Sequence, residues 1–311
     1  MREDTVQLVV VGSIGLDDIA TPAGRRTNVL GGSATYACAA AAFFTRPGLV
    51  GAAGCDFPRR HWTFYRRLGV DLSGLQVLEL PTFRWAGEYA EDMNQRKTLR
   101  TELNALGAFR PSLPAPYRKA PFLFLGNLQP AIQHEVLDQM RAPRFVAVDT
   151  MDLWIRTARH EVEAIWGRAD LVTLNDAEAR LYSGETDLVR ALRRILRCGP
   201  RYVVIKKGEH GALWASRRGI GLLPAFPVER TVDPTGAGDA FAGGLMGALA
   251  KLGRTDEPAF RYGLEQGAVA ASFCVEAFGP SRLGRLTPGE LARRWRLFCR
   301  MGKPSSERSW R

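Results

Sequence analysis

Short apolar runs recur along the chain at 8–11, 49–52, 122–125, 145–148, 171–174 and 202–205, rich in Val, Ile, Leu and Phe. Helix-patterned stretches at 33–44, 59–68, 131–140, 159–166 and 187–196 separate most of them. A strand that is apolar throughout must be covered on both faces. Strands alternating with helices at this spacing meet that need as an open, mostly parallel sheet with helices on either side. The expected fold class is therefore α/β. The last third turns helical, with patterns at 238–251, 257–275 and 288–300.

Two stretches break the rhythm. Residues 17–30 are polar and punctuated by Gly and Pro, and 82–104 alternate apolar and polar residues (Phe83, Trp85, Gly87, Tyr89) among many charges. Both are expected to form strands outside the main sheet, as long insertions in a compact domain usually serve a function, lids included. No repeat or linker divides the 311 residues, and one large α/β domain can use them all. The expectation is a single domain over 1–311, with a polar tail at 302–311 that frays.

Composition excludes little, but it excludes usefully. Hydrophobic residues at 46% rule out wholesale disorder. The longest apolar run, around 36–44, is too short to span a bilayer, and the acids in Met1-Arg2-Glu3-Asp4 do not suit a secretory signal. Five scattered cysteines without a C-x-x-C pair fit a reduced cytoplasm better than a disulfide framework or zinc ribbon. Lys and Arg number 43 against 32 Asp and Glu, a formal charge of +11. Arginines repeated along helices (Arg190, Arg193, Arg194, Arg197) read as solvated faces, and no nucleic-acid motif accompanies them. Neither a nucleic-acid nor a membrane partner is expected. The four histidines are scattered, and G-x-x-x-x-G-K-[ST], G-x-S-x-G and H-E-x-x-H are all absent.

The strongest chemical signal is Asp233-Pro234-Thr235-Gly236-Ala237-Gly238-Asp239-Ala240-Phe241, leading into the small-residue run 242–248. Glycines at a helix start let the backbone approach an anion, and the unpaired amides and positive dipole end favour phosphate. A carboxylate beside such a hole suits phosphoryl transfer, taking a hydroxyl proton while amides stabilise the moving group. A glycine turn capping a tightly packed helix would explain the same residues in structural terms alone. Asp149 and Asp152 follow a strand end, where loops line α/β clefts, although helix capping would also account for them.

The run Asp233–Phe241 resembles the C-terminal signature of the ribokinase family, also called the PfkB carbohydrate kinases. Gly12-Ser13-Ile14-Gly15-Leu16-Asp17 and Gly31-Gly32-Ser33-Ala34-Thr35 resemble its N-terminal signature, and Asn175-Asp176-Ala177-Glu178 its N-x-x-E motif. Lys206-Lys207-Gly208-Glu209-His210-Gly211 sits where members hold nucleotide phosphates on a glycine-rich turn. The resemblance spans 12 to about 279 and implies a ribokinase-like fold with a small β-lid. It further implies Asp239 as base, an anion hole at Gly236, Ala237 and Gly238, and an acceptor held by Asp17 and the Gly31-Gly32 turn. Asp149 is counted with the acceptor site. ATP would lie against turns at Asn175, Gly208, Gly211 and Thr235, with adenine towards Ala268 and Ala271. Magnesium would be reached through water by Asn175 and Glu178, and a monovalent cation such as potassium would sit near Asp233.

The departures bear on specificity. Tyr36 stands where many sugar-kinase members carry an Asn that contacts the acceptor. Lys206-Lys207 replace small or hydroxylated residues; either phosphate contact or solvation accounts for them, and Lys207 is counted with the nucleotide site. Phe83, Trp85 and Tyr89 either wall the acceptor or pack the lid onto the sheet. The expected activity is ATP-dependent phosphorylation of a hydroxymethyl group on a small sugar or nucleoside, leaning to the 5′-hydroxyl of a nucleoside or substituted ribose. The alternatives are a plain ribose- or fructose-type sugar kinase, and a non-catalytic sensor of sugars or nucleotides on the same fold. Lid strands of this family can pair between subunits, so a monomer and a lid-mediated homodimer are both compatible.

Overall fold

A computed structural model describes residues 5–301; the expected tail at 302–311 and the acidic start at 1–4 lie outside the described residues. Among the described residues, thirteen strands fall into two sheets. The main chain of strands is β1 (Leu8–Val11), β4 (Pro47–Gly54), β5 (Asp71–Leu78), β8 (Phe122–Leu125), β9 (Phe145–Asp149), β10 (Leu171–Asn175), β11 (Tyr202–Lys206), β12 (Ala212–Ser216) and β13 (Gly219–Leu223). Their order across the sheet is β13-β12-β11-β10-β9-β8-β1-β4-β5. Pairing is parallel from β5 through β11, and β12 and β13 are added antiparallel at one edge.

The doubly covered sheet follows from the strands themselves. In β1, Leu8 and Val10 enter one core layer while Val9 and Val11 enter the other, so each face is apolar. The first layer is roofed by α1 (Ser33–Ala41), α2 (Arg59–Arg67), α9 (Ala237–Leu252), α10 (Glu257–Cys274) and α11 (Pro288–Met301). The second is roofed by α4 (Pro130–Gln139), α5 (Asp152–Thr157), α6 (Arg159–Trp166), α7 (Asp176–Ser183) and α8 (Leu188–Leu196). A short helix, α3 (Asn104–Gly107), closes the segment that follows the second sheet.

Helices α1 and α9 approach closely enough to explain their small residues. Every residue of α1 is buried, and a Cβ at Gly243 would strike the backbone of Ala37, while one at Gly247 would lie 2.8 Å from the Cα of Ala41. These contacts lie in the middle of α9 and the second half of α1; nearer the helix starts, Gly236 meets the ring of Tyr36, which matters for the site.

The second sheet has four strands in the order β3-β2-β6-β7, formed by β2 (Gly15–Thr21), β3 (Gly24–Gly31), β6 (Phe83–Tyr89) and β7 (Arg96–Glu102). The two irregular stretches thus form strands of their own, as expected. Strands β5, β12 and β13 and helices α3, α5 and α7 lie outside the expected elements. In β5 (DLSGLQVL) and β13 (GIGLL) most residues are only partly covered, so no apolar run marks them. No helix among the described residues is long and apolar enough to cross a membrane.

Candidate active site

Asp239 is the third residue of α9, whose cap residue Gly236 has a φ of 75°. That left-handed conformation favours glycine, and a Cβ at Gly236 would also strike the ring of Tyr36 from α1. The turn before it is pinned on both sides. Asp233 is fully buried; its Oδ1 accepts the Thr235 amide at 2.9 Å and its Oδ2 the Gly279 amide at 2.9 Å. Burial raises the Asp233 pKa, while these bonds oppose the rise. The Ala237 amide donates to the Pro234 carbonyl at 3.2 Å.

The Asp239 carboxyl is pushed up to about 7, first by burial and then by the negative charge of Asp149. Lys206, Arg96 and the residue's own amide pull it back. An acid balanced near neutrality is what a general base requires, ionised at working pH yet basic enough to accept a hydroxyl proton.

Across from this turn lies a second cluster. Asp17 on β2 is buried, and Gly31 on β3 faces it so closely that a Cβ there would collide with the carboxylate. Gly32, with a φ of 94°, packs on the Ser13 carbonyl, and Ser13 and Ser33 exchange amide-to-hydroxyl bonds at 3.1 and 3.0 Å. The glycine pair thus brings the start of α1 directly onto the β1–β2 turn. Asp17 Oδ1 and Tyr36 Oη are both buried with no hydrogen-bond partner. Burial leads in raising each, with Asp233 next; Asp17 is pushed up to about 8, and the Tyr36 phenol rises well above its ordinary value. Leaving a buried polar atom unpaired costs about 1–3 kcal/mol, so two orphaned atoms in one charged neighbourhood suit a hydroxylated ligand.

The second sheet reaches both clusters. Strand alternation puts Phe83, Trp85, Gly87 and Tyr89 on one face of β6. Thr235 Oγ1 donates to Tyr89 Oη at 3.1 Å, tying β6 to the glycine turn. The Trp85 ring lies over Gly87, its indole N–H donates to Thr98 Oγ1 at 3.3 Å, and Arg96 stands 5.6 Å from the ring centre. Beyond the strand, Asn94 Nδ2 donates to Glu209 Oε1 at 3.5 Å.

At the end of β10, Asn175 and Glu178 form a reciprocal capping box at the start of α7. Asn175 Oδ1 accepts the Glu178 amide at 2.8 Å, and Glu178 Oε2 accepts the Asn175 amide at 2.8 Å. Burial, then Asp149, pushes the Glu178 carboxyl up to about 7 against the pull of Lys206 and the Asn175 amide. The following turn has Gly208 and Gly211 at φ 56° and 76°, closed by the Lys207 amide donating to the Gly211 carbonyl at 2.8 Å. Ala268 is buried on α10, one turn before the half-buried Ala271. Of the two lysines offered for phosphate contact or solvation, the sequence counts Lys207 with the nucleotide site, whereas it is the Lys206 ammonium that lies 2.7 Å from Asp149 Oδ2. Among the described residues, no group of three or more His, Cys, Asp or Glu side chains could hold a metal ion.

A near-neutral acid at a glycine-turn helix start, on a doubly covered parallel sheet, suits phosphoryl transfer. The pfkB family carbohydrate kinase signature matches residues 6–282, and the chain belongs to that family. It is an ATP-dependent kinase of the carbohydrate-kinase type. A cytidine kinase of Thermococcus kodakarensis is 33% identical over 267 residues, covering 84% of this chain and 94% of the relative. A Klebsiella pneumoniae fructokinase is 34% identical over 122 residues, 37% of this chain and 39% of its own length. Among solved structures, ribokinase from Giardia lamblia superposes with a TM-score of 0.80 at 19% identity, covering 95% of this chain and all of that one. Burkholderia thailandensis nucleoside kinase in complex with inosine superposes at 0.76 and 21% identity, covering 93% and 97% of the two chains. At those identities the structural likeness establishes the fold.

Proposed function

We propose that this kinase transfers the γ-phosphoryl group of ATP to the 5′-hydroxyl of a nucleoside, with Asp239 as the general base. The observation that carries this reading is the pair of orphaned buried atoms, Asp17 Oδ1 and Tyr36 Oη, close to the Gly236 turn that leads to Asp239. Asp17, with two oxygens and a backbone approach opened by Gly31, holds ribose hydroxyls. The Tyr36 phenol supplies a further hydrogen bond, and Trp85 and Tyr89 offer flat apolar faces that suit a base better than a free pentose. The cytidine kinase relative and the inosine-bound structural neighbour support the same acceptor class.

In the reaction, Asp239 takes the 5′-hydroxyl proton while the amides of Gly236 and Gly238 face the moving phosphoryl group. The Ala237 amide, already donating to Pro234, contributes less to this hole than its neighbours. Magnesium suits the site as a nucleotide-borne, hydrated ion, because Glu178 is a raised acid with one oxygen outside the capping box. Asn175 and Glu178 would order its water shell, and the ion would supply charge neutralisation to the phosphates. Asp233, with each oxygen already accepting one amide, would border a potassium ion.

The test is a panel of nucleosides, pentoses and hexoses with ATP and magnesium, read as ADP release. Nucleosides should show the higher kcat/KM, and Trp85→Ala should narrow their advantage over ribose. Free sugars turning over best, with Trp85→Ala neutral, would reverse the choice of acceptor.

A further inference from the structure

Two adjacent lysines precede the nucleotide turn, and the sheet sends the first of them inward. Lys206 pairs in register with Asn175, and Thr173, two residues earlier on β10, pairs with Asp149. Strand parity therefore puts Lys206, Thr173 and Asp149 on one face of the sheet, the face roofed by α9. The Lys206 side chain is 18% exposed and that of Asp149 only 7%. Asp149 uses Oδ2 for the lysine at 2.7 Å and Oδ1 for the Thr150 amide at 2.8 Å, so both its oxygens are engaged within the protein. On the other flank of the ammonium lies the glycine turn: a Cβ at Gly238 would stand 3.0 Å from Nζ.

The charges around this point are mostly negative. Asp149 comes from β9, Glu178 from α7 and Asp239 from α9, while Arg96 approaches Asp239 from β7. Burial alone would lower the Lys206 pKa, but Asp149, Glu178 and Asp239 outweigh it and keep the ammonium charged. An ammonium carries three donors, and one is spent on Asp149. A triphosphate entering beside three carboxylates needs a cation already in place, because the start of a helix supplies only about half a charge.

We infer that Lys206 contacts the γ-phosphoryl group during transfer, and that Asp149 is a positioning residue that holds the ammonium beneath the Gly238 turn. This rests on the kinase reading above. In the step, the acceptor oxygen forms a bond to the γ-phosphorus and the bond from that phosphorus to the β,γ-bridging oxygen breaks. The hydroxyl proton passes to Asp239, and ADP leaves with the bonding electron pair. Lys206 keeps its protons throughout and offers charge to a phosphoryl oxygen without rearranging at the moment of reaction. Anchoring matters because a lysine stem is flexible, and Asp149 removes that freedom in advance.

The test compares wild type, Lys206→Met, Asp149→Asn and the double variant Lys206→Met/Asp149→Asn. Each is assayed for turnover and, by calorimetry, for affinity towards ADP and a non-hydrolysable ATP analogue. Lys206→Met should lower kcat about 10²–10³-fold, the usual loss for one donor to the transition state. It should weaken the ATP analogue about tenfold and ADP less than about twofold, the signature of a contact beyond the β-phosphate. Asp149→Asn should reduce the preference for the ATP analogue over ADP, which a residue serving only the fold would leave unchanged. The double variant removes the Lys206–Asp149 pair together, so Asp149 is not left charged without its partner, and it decides the matter if Lys206→Met does not fold. Its kcat should stay low, and recovery to the wild-type rate would mean that the lysine only neutralises Asp149, overturning the inference. Equal weakening of both nucleotides would overturn it too. A wild-type chain that phosphorylates no acceptor, yet loses its preference for the ATP analogue in Lys206→Met, would sink the acceptor reading and leave the lysine contact standing.

Discussion

Replacing Asp17 with Asn should stabilise the protein while removing its activity, and the stabilisation should grow with pH. In the folded chain Asp17 is 3% exposed, has one oxygen without a partner, and is pushed from its ordinary 3.8 up to about 8. The unfolded chain ionises this group above pH 3.8, whereas the folded chain holds the proton until about pH 8. Unfolding therefore releases a proton across that window, so the group lowers stability progressively as pH rises from about 4 to 8 and adds nothing further beyond. One bound proton is worth about 1.4 kcal/mol for each pH unit crossed, so the penalty grows by roughly 3 to 4 kcal/mol between about pH 5 and pH 8. Asn cannot ionise, so urea unfolding of wild type and Asp17→Asn at these two pH values should give a stability difference that increases by this amount. Asp239 and Glu178 carry raised values of the same sign, which is why the difference between the two proteins, rather than the wild-type slope, is the quantity to read. Turnover should fall at least about 10²-fold, because Asn offers the acceptor hydroxyls one oxygen where the carboxyl of Asp17 offers two. A stability difference that stays constant across this pH range would show that Asp17 is solvated or paired in solution, and the orphaned-atom argument for the acceptor site would fail.

Asp239→Asn should lower kcat by about 10²–10⁴ and leave ADP affinity nearly unchanged, as measured by coupled assay and calorimetry. Because the base must be ionised, wild-type kcat/KM should decline as pH falls through about 7, and a flat profile down to about pH 5.5 would contradict Asp239 as base. Glu178→Gln should raise the magnesium concentration needed for half-maximal rate, with a stability loss below about 1 kcal/mol because Gln can still accept the Asn175 amide in the capping box. An unchanged magnesium profile would confine Glu178 to capping the helix.

Legibility differs from residue to residue. The apolar runs of β1, β8, β9, β10 and β11 announce strands buried on both faces, because no other placement removes so much Val, Leu and Ile from water in so few residues. The glycines at 236 and 238 announce a tight helix entry, because the chain itself needs a left-handed residue at the first of them. These are local demands of backbone and solvent, and sequence alone determines them. Strands β5 and β13 escape because half-covered edges need no apolar run, and α7 escapes because its capping box is short and mostly polar.

The rest belongs to tertiary structure. Residues 203, 204 and 205 are all buried, so the alternation that would say which of Lys206 and Lys207 points inward is erased by the very burial that marks the strand. Only the register of β11 on β10, and of β10 on β9, sends Lys206 to Asp149 beneath Gly238. The packing of Tyr36 on Gly236 joins residues far apart in the chain, and the burial that lifts the Asp17 carboxyl exists only once β2, β3 and α1 have closed around it. Desolvation and charge coupling are properties of that enclosure. The sequence determined which residues could do the chemistry, and the fold decided which of them face one another, because a pKa and a register are set by neighbours that only a folded chain possesses.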